Sequence, residues 1–170
     1  MGLDMYLYLK KSNFISSYKT PDKVKYPKAI EDLKNNVYMP HIIKDELYQV
    51  GYWRKANQIH NFFVQKCADG IDDCRPVFVS DKKLKDLLDN CKQVLEDHTK
   101  AKELLPTTDG FFFGDTEYDE EYFDDLEYTV KILEPLVIKL DEFDKAWEKW
   151  DAKSDTKEPP SYSVIYEASW

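Results

Sequence analysis

The stretch LDMYLYL, residues 3–9, decides how the rest of this 170-residue chain is interpreted. Its residues alternate weakly and are rich in aromatic and aliphatic groups, a pattern typical of a β-strand. At the far end of the chain, SYSVIYEASW, residues 161–170, predicts a last strand. We expect these two strands to pair, which would hold both ends of the chain in one sheet.

Periodic apolar residues predict three long helices between these strands. They cover residues 55–66, 80–105 and 116–150. Ser80 is a plausible N-cap for the second helix, and the letters TEYD open the third with a capping-box pattern. Pro135 is expected to kink or split the third helix, because proline lacks the backbone N–H that a helix interior needs.

Shorter elements complete the predicted fold. Residues 46–50 and 76–79 are strand candidates, Gly51 is a turn candidate, and residues 10–45, rich in Lys and punctuated by Pro, form an excursion from the core. Strands and helices do not alternate strictly. This favours an α+β fold, a small, mostly antiparallel sheet with three or four helices packed against it. At this length the simplest organisation is a single domain, residues 1–170.

Charge is distributed unevenly along the chain, whose formal net charge is −9. Residues 1–66 hold eleven Lys and Arg against six Asp and Glu, whereas residues 67–170 hold thirteen against twenty-seven. An acidic chain repels nucleic-acid phosphates at long range, so direct nucleic-acid binding is disfavoured. The basic first third could still hold a small anionic ligand.

The sequence shows no signal for export, membrane insertion or cofactor binding. Its start lacks the features of a signal peptide, and no segment approaches the roughly 20 apolar residues of a membrane span. Three cysteines without a CxxC pair suggest reduced thiols in a cytoplasm rather than a zinc site. Common nucleotide-binding and hydrolase motifs are absent. We therefore expect no cofactor, metal or membrane partner, and an enzyme is the less favoured class.

The stretch YWRKANQIHN, residues 52–61, brings rings, cations and polar groups to a helix start. Helix N-termini and Arg bind phosphate oxygens, and Trp or Tyr stacks a base. We therefore predict a site for a small anionic, nucleotide-like ligand. Arg54 and Lys55 would take the negative charge. Trp53 would stack on the ring, and Asn57 and His60 would orient the ligand by hydrogen bonds. Further candidate walls of the site are Asp4, Tyr6 and Phe112.

Three other interpretations stay open, two for the residues of this predicted site and one for an acidic stretch later in the chain. The helix start can simply be amphipathic, with Trp53 in the core and its cationic neighbours solvated. The nine acidic residues between Asp109 and Glu127 could imitate a nucleic acid in a protein–protein inhibitor, or could belong to the acidic start of a helix. His60 could also act with a carboxylate such as Asp4 or Asp69 in a hydrolase or transferase.

Four blocks of the sequence resemble an uncharacterised family found in phages and bacteria. They read GLDMYLYLKK, YWRKANQIHNFFV, LPTTDGFFFGDTEYDEEYFDDL and YEASW, and they are spread from residue 2 to residue 170. The resemblance implies a phage or prophage accessory protein that acts in the host cytoplasm, and it implies no activity or catalytic residues. The expected partner is then a small anionic ligand or a host protein, and the hypothesis is a binding module that antagonises a host pathway.

Overall fold

The computed structural model describes residues 2–16, 41–110, 112–150, 159 and 161–170, and at residues 12–16 and 41–45 it describes the backbone alone. Residues 17–40 of the predicted excursion lie outside the described residues. The described strands form one antiparallel sheet in the order β2-β1-β4-β3. They are β1 (Asp4–Ser16), β2 (His41–Arg54), β3 (Val77–Val79) and β4 (Ser161–Ser169).

The predicted α+β fold and the pairing of the first and last strands are both confirmed. The α-helices of the described chain are α1 (Asn57–Cys67), α2 (Asp81–Glu96), α3 (Ala101–Leu104) and α4 (Glu120–Lys149). The predicted second helix is too long, because α2 ends at Glu96. A 3-10 turn and the four-residue α3 then lead to Leu105 and the following proline.

The alternation in β1 gives the sheet two different faces. Leu3, Met5 and Leu7 are fully buried, whereas the residue that follows each of them, Asp4, Tyr6 and Tyr8, is half-buried. Burial of each large apolar side chain contributes about 1.5–3 kcal/mol. The helices pack on the face that carries the apolar set, and no described helix covers the other face, which we call the open face.

Gly51 lies inside β2 and does not form the predicted turn. It pairs with Leu7, and the strand continues to Arg54. A Cβ atom on Gly51 would lie 3.0 and 3.1 Å from ring carbons of Trp53 and 3.3 Å from a methyl group of Ile132. The glycine therefore lets an aromatic ring and α4 approach the strand closely. A register shift lies just before it, where Val50 is the extra residue opposite the step from Leu7 to Tyr8 on the partner strand.

Of the two predicted outcomes at Pro135, a kink or a split, the split is wrong, because helix α4 runs through the proline as one element. Proline leaves the carbonyl of Lys131 without its helical donor. Both residues are exposed, so water can satisfy that carbonyl. The N-cap of α4 also lies three residues after Thr116, the residue at which the predicted capping box begins. Asp119 occupies the N-cap, and its Oδ1 accepts from the backbone N–H of Tyr122 at 3.1 Å.

The cap predicts the effect of a single substitution. Asp119→Ala should lower the free energy of unfolding by about 1 kcal/mol, because an orphan N–H of the first turn loses its acceptor. Glu127→Ala, an exposed acidic position further along the same helix, is the matched control and should change it by less than about 0.5 kcal/mol. Urea denaturation measures both. Equal effects would contradict the cap.

Candidate functional site

The residues predicted to form one ligand site fall on two sides of the sheet. Trp53 pairs with Met5 and faces the helices, where it is 1% exposed. Its Nε1 donates to Thr129 Oγ1 at 2.9 Å. The ring is therefore part of the core, and it cannot stack on a ligand from solvent.

Asn57 is buried and ties α1 to the loop before α4. Its Nδ2 donates to the carbonyls of Phe113, at 3.2 Å, and Asp115, at 2.7 Å, and its Oδ1 accepts from the N–H of Thr108 at 2.9 Å. Both polar atoms of its side chain are therefore hydrogen-bonded within the protein. The carbonyl of Phe112, in the same loop, accepts from the N–H of Leu3 at 3.1 Å, which joins the loop to the start of β1.

Gln58 of α1 is hydrogen-bonded to Asp125, a partly buried acid of α4. Its Nε2 donates to Asp125 Oδ2 at 3.1 Å. Burial raises the pKa of Asp125 to about 6, against the ordinary 3.8, and the neighbouring acids Glu121 and Asp124 add to the rise. The hydrogen bond from Gln58 opposes it. Burial therefore outweighs the hydrogen bond, and the folded protein favours the protonated carboxyl although the Gln58 contact itself is stronger to the ionised form.

His60 is buried in a closed hydrogen-bonded network. It is 1% exposed, its Nε2 lies 2.9 Å from Asp72 Oδ2, and its Nδ1 lies 2.7 Å from the hydroxyl of Tyr166. An ionised Asp72 only accepts, so Nε2 donates to it, and in the neutral ring Nδ1 accepts from the Tyr166 hydroxyl. Burial, with the charge of Asp72 second, raises the pKa of Tyr166 well above its ordinary value. Asp72 also accepts from Trp170 Nε1 at 3.2 Å.

This network leaves no ring nitrogen for a substrate. The cavity beside it, lined also by Cys74 and Arg75, has a volume of about 10 Å³, room for about one water molecule. The partner of His60 is neither of the predicted acids. Asp4 lies on the open face, and Asp69 is an exposed residue at a φ of 55°. Among the described residues, no three His, Cys, Asp or Glu side chains are grouped to hold a metal ion.

The open face carries three of the predicted residues, Asp4, Tyr6 and Arg54, together with Tyr8 and Tyr52, which were not predicted as site residues. Asp4 pairs with Arg54, and Tyr6 pairs with Tyr52, in adjacent rows of β1 and β2. The Tyr6 and Tyr52 rings are 5.3 Å apart between centroids, and the Tyr6 and Tyr8 rings are 6.0 Å apart and 12° from parallel. Tyr52 is 36% exposed. Ring surface is therefore available to solvent.

Two cations converge at the end of this face. A Cβ atom on Gly2 would lie 3.6 Å from Arg54 Nε and 3.8 Å from Lys55 Cε. Both side chains are exposed, and neither forms an ion pair with any side chain that the structure describes. Lys55 has a φ of 62°, uncommon for a residue other than glycine, and its N–H donates to the Leu3 carbonyl at 2.8 Å. The fold thus holds the two cations side by side.

Asp4 lies opposite Arg54 and forms no described ion pair with either cation. Its Oδ1 accepts from the Tyr52 hydroxyl at 2.5 Å. That hydrogen bond is the largest cause of a raised pKa at Tyr52. The end of the open face therefore combines ring surface, a carboxylate and two cations, which is equipment for a polar ligand with an anionic group and a ring.

The acidic stretch from Asp109 to Glu127 is mostly exposed, and part of it serves local structure. Asp115 Oδ1 accepts from the N–H of Glu117 at 3.1 Å, and Asp119 caps α4. These contacts match the interpretation of an acidic helix start.

Comparison with protein-family models, curated proteins and solved structures gives no match. The resemblance to phage and prophage proteins stays a prediction. Within the described ranges, no helix is both long and apolar enough to cross a membrane.

The raised pKa of Asp125 predicts how stability depends on pH. The folded protein binds this proton more tightly than the unfolded chain, so the group favours folding most below pH 3.8, and that contribution is lost as the pH rises through about 6. Asp125→Asn should therefore gain about 1 kcal/mol relative to wild type between pH 4 and pH 7.5, after allowance for partial exposure. Urea denaturation at both pH values measures this. A pH-independent difference would contradict it.

The buried network predicts unequal effects at two adjacent acids. Asp72→Ala should lower the free energy of unfolding by about 1–3 kcal/mol, because His60 Nε2 loses its acceptor in a buried position. Asp73→Ala removes an exposed ion pair with the Arg75 side chain and an exposed hydrogen bond from the Arg75 N–H, and it should cost less than about 1 kcal/mol. Thermal or urea denaturation compares them. If the two variants matched, the structural role of the network would be contradicted.

Proposed function

We propose that the chain is a non-enzymatic binding module that holds a small anionic, nucleotide-like ligand at the Arg54 end of the open face. The observation that carries this proposal is the convergence of Arg54 and Lys55 over Gly2, without a described ion-pair partner, beside the half-buried Tyr6 ring and the exposed Tyr52 ring. An accessory role in a phage-infected cell, with a host pathway as its target, rests on the resemblance alone and is part of the same proposal.

Electrostatics favour an anion at this place. Two like charges held close together repel each other, and a bound phosphate would remove that repulsion. Arg presents a planar fork of donors that matches phosphate oxygens, and Lys adds a compact charge. The net charge of −9 does not exclude this, since charges beyond about 8 Å are largely screened at physiological ionic strength.

The rings supply the second part of the site. Stacking of a base on an aromatic side chain contributes about 1–3 kcal/mol and tolerates any base. Tyr6 and Tyr52 take the stacking role that was predicted for Trp53, because they lie one row from Arg54 on the exposed side of the sheet. A ring and a phosphate of one small molecule can therefore reach both parts at once.

The two other hypotheses receive less support from the geometry. A hydrolase that uses His60 would need a free ring nitrogen and space for a substrate, and here both nitrogens are bonded beside a cavity of about 10 Å³. A nucleic-acid mimic would use the acidic stretch 109–127, in which Asp115 and Asp119 serve a local turn and a helix cap and Asp125 bonds to Gln58 of α1.

Isothermal titration with 5′-AMP, 5′-GMP, 5′-CMP and 5′-UMP tests the proposal. We expect at least one of them to bind, and Arg54→Ala to weaken that binding by roughly tenfold or more, because a charged hydrogen bond is lost. Arg75→Ala is the matched control, since it removes the other arginine of the chain, which is exposed and lies outside the site. Tyr6→Ala should also weaken binding.

The proposal fails if none of the four nucleotides binds, or if Arg54→Ala and Arg75→Ala have the same effect on binding. Circular dichroism of each variant checks that the fold is intact.

A further inference from the structure

Asp4 and Arg54 lie directly opposite each other on neighbouring strands and yet do not form an ion pair. Opposite charges in such cross-strand positions normally attract each other and contact. Here the carboxylate bonds to the Tyr52 hydroxyl, one row along the sheet, while the guanidinium lies over Gly2. The two charges are thus held apart, and each keeps capacity for an external group.

Asp4 can still accept a hydrogen bond from a ligand, but it cannot donate one. An ionised carboxylate accepts through both oxygens and donates nothing. Oδ1 is used by Tyr52, and Oδ2 accepts no hydrogen bond from the described part of the chain. A ligand group that faces Asp4 must therefore donate a hydrogen bond, as a hydroxyl or an amino group does.

The order of groups along the face narrows the ligand class. Successive outward residues on a strand are about 6.6 Å apart, so the ring row of Tyr6 and Tyr52 lies one such step from Asp4. Arg54 lies in the same row as Asp4, on the neighbouring strand, and Lys55 follows it at the end of the sheet. A nucleotide with its base on the ring row would therefore place its sugar and phosphate over the next row, where a hydroxyl can face Asp4 and the phosphate can face Arg54 and Lys55.

We infer that the ligand is a ribonucleotide and that Asp4 selects it by accepting a hydrogen bond from the ribose 2′-hydroxyl. This inference rests on the proposed function. Carboxylates recognise ribose hydroxyls in the same chemical way in dinucleotide-binding sites. A 2′-deoxyribonucleotide loses the donor and leaves Asp4 Oδ2 without a partner next to bound phosphate, so it binds more weakly.

The test compares each ribonucleoside 5′-monophosphate that binds with its 2′-deoxy counterpart, by isothermal titration. The ribonucleotide should bind about tenfold more tightly to the wild-type chain. In Asp4→Ala that ratio should fall to about one, even if both affinities rise because a negative charge has been removed. Tyr52→Phe is the control, since it removes the hydrogen bond to Asp4 and leaves the ring and the carboxylate, and it should keep the preference.

Different outcomes separate this inference from the proposal beneath it. Equal binding of ribo- and deoxyribonucleotides overturns the role of Asp4 and leaves the anion site in place. An unchanged ratio in Asp4→Ala overturns it too. Absence of binding by every nucleotide overturns both. Circular dichroism of the two variants shows whether a loss of binding is a loss of fold.

Discussion

The structure depends on the two-sided alternation of β1. This strand is hydrogen-bonded to β2 on one side and to β4 on the other, so it joins both ends of the chain. Leu3, Met5 and Leu7 bury completely against the helices. A shift of register by one residue would turn this apolar set to solvent and bring the polar set into the core, which is why the pairing is strongly specified.

The same register sorts the candidate site residues between two environments. Because Trp53 lies opposite Met5, its ring faces the core, and because Arg54 lies opposite Asp4, its guanidinium faces solvent. The turn at Lys55 then reverses the chain into α1, whose first residues are buried. Neighbours in sequence thus reach opposite sides of the sheet, and the polar groups of α1 hold the fold together while Arg54 at the end of β2 stays exposed.

Much of the fold could be predicted from local pattern, and the site could be predicted only in part. The apolar stripes of the helices and the character of the terminal strands are local signals, and they predicted the correct class. The place of Gly51 was not predictable in this way, because its role depends on the Trp53 ring that packs over it. Asp72 reaches His60 only through the folding of an exposed loop, and no spacing in the sequence indicated this pair. Tyr52, by contrast, could have been found by continuing the strand pattern past Gly51.

The most direct test of the account is a titration of the ¹⁵N-labelled protein with 5′-AMP, followed by amide chemical shifts. The account predicts progressive shifts at Tyr6, Tyr52, Arg54 and Lys55, at the end of the open face, and unchanged signals at His60 in the core. Shifts centred on the His60 network, or no shifts at the end of the open face with any ribonucleotide, would contradict it.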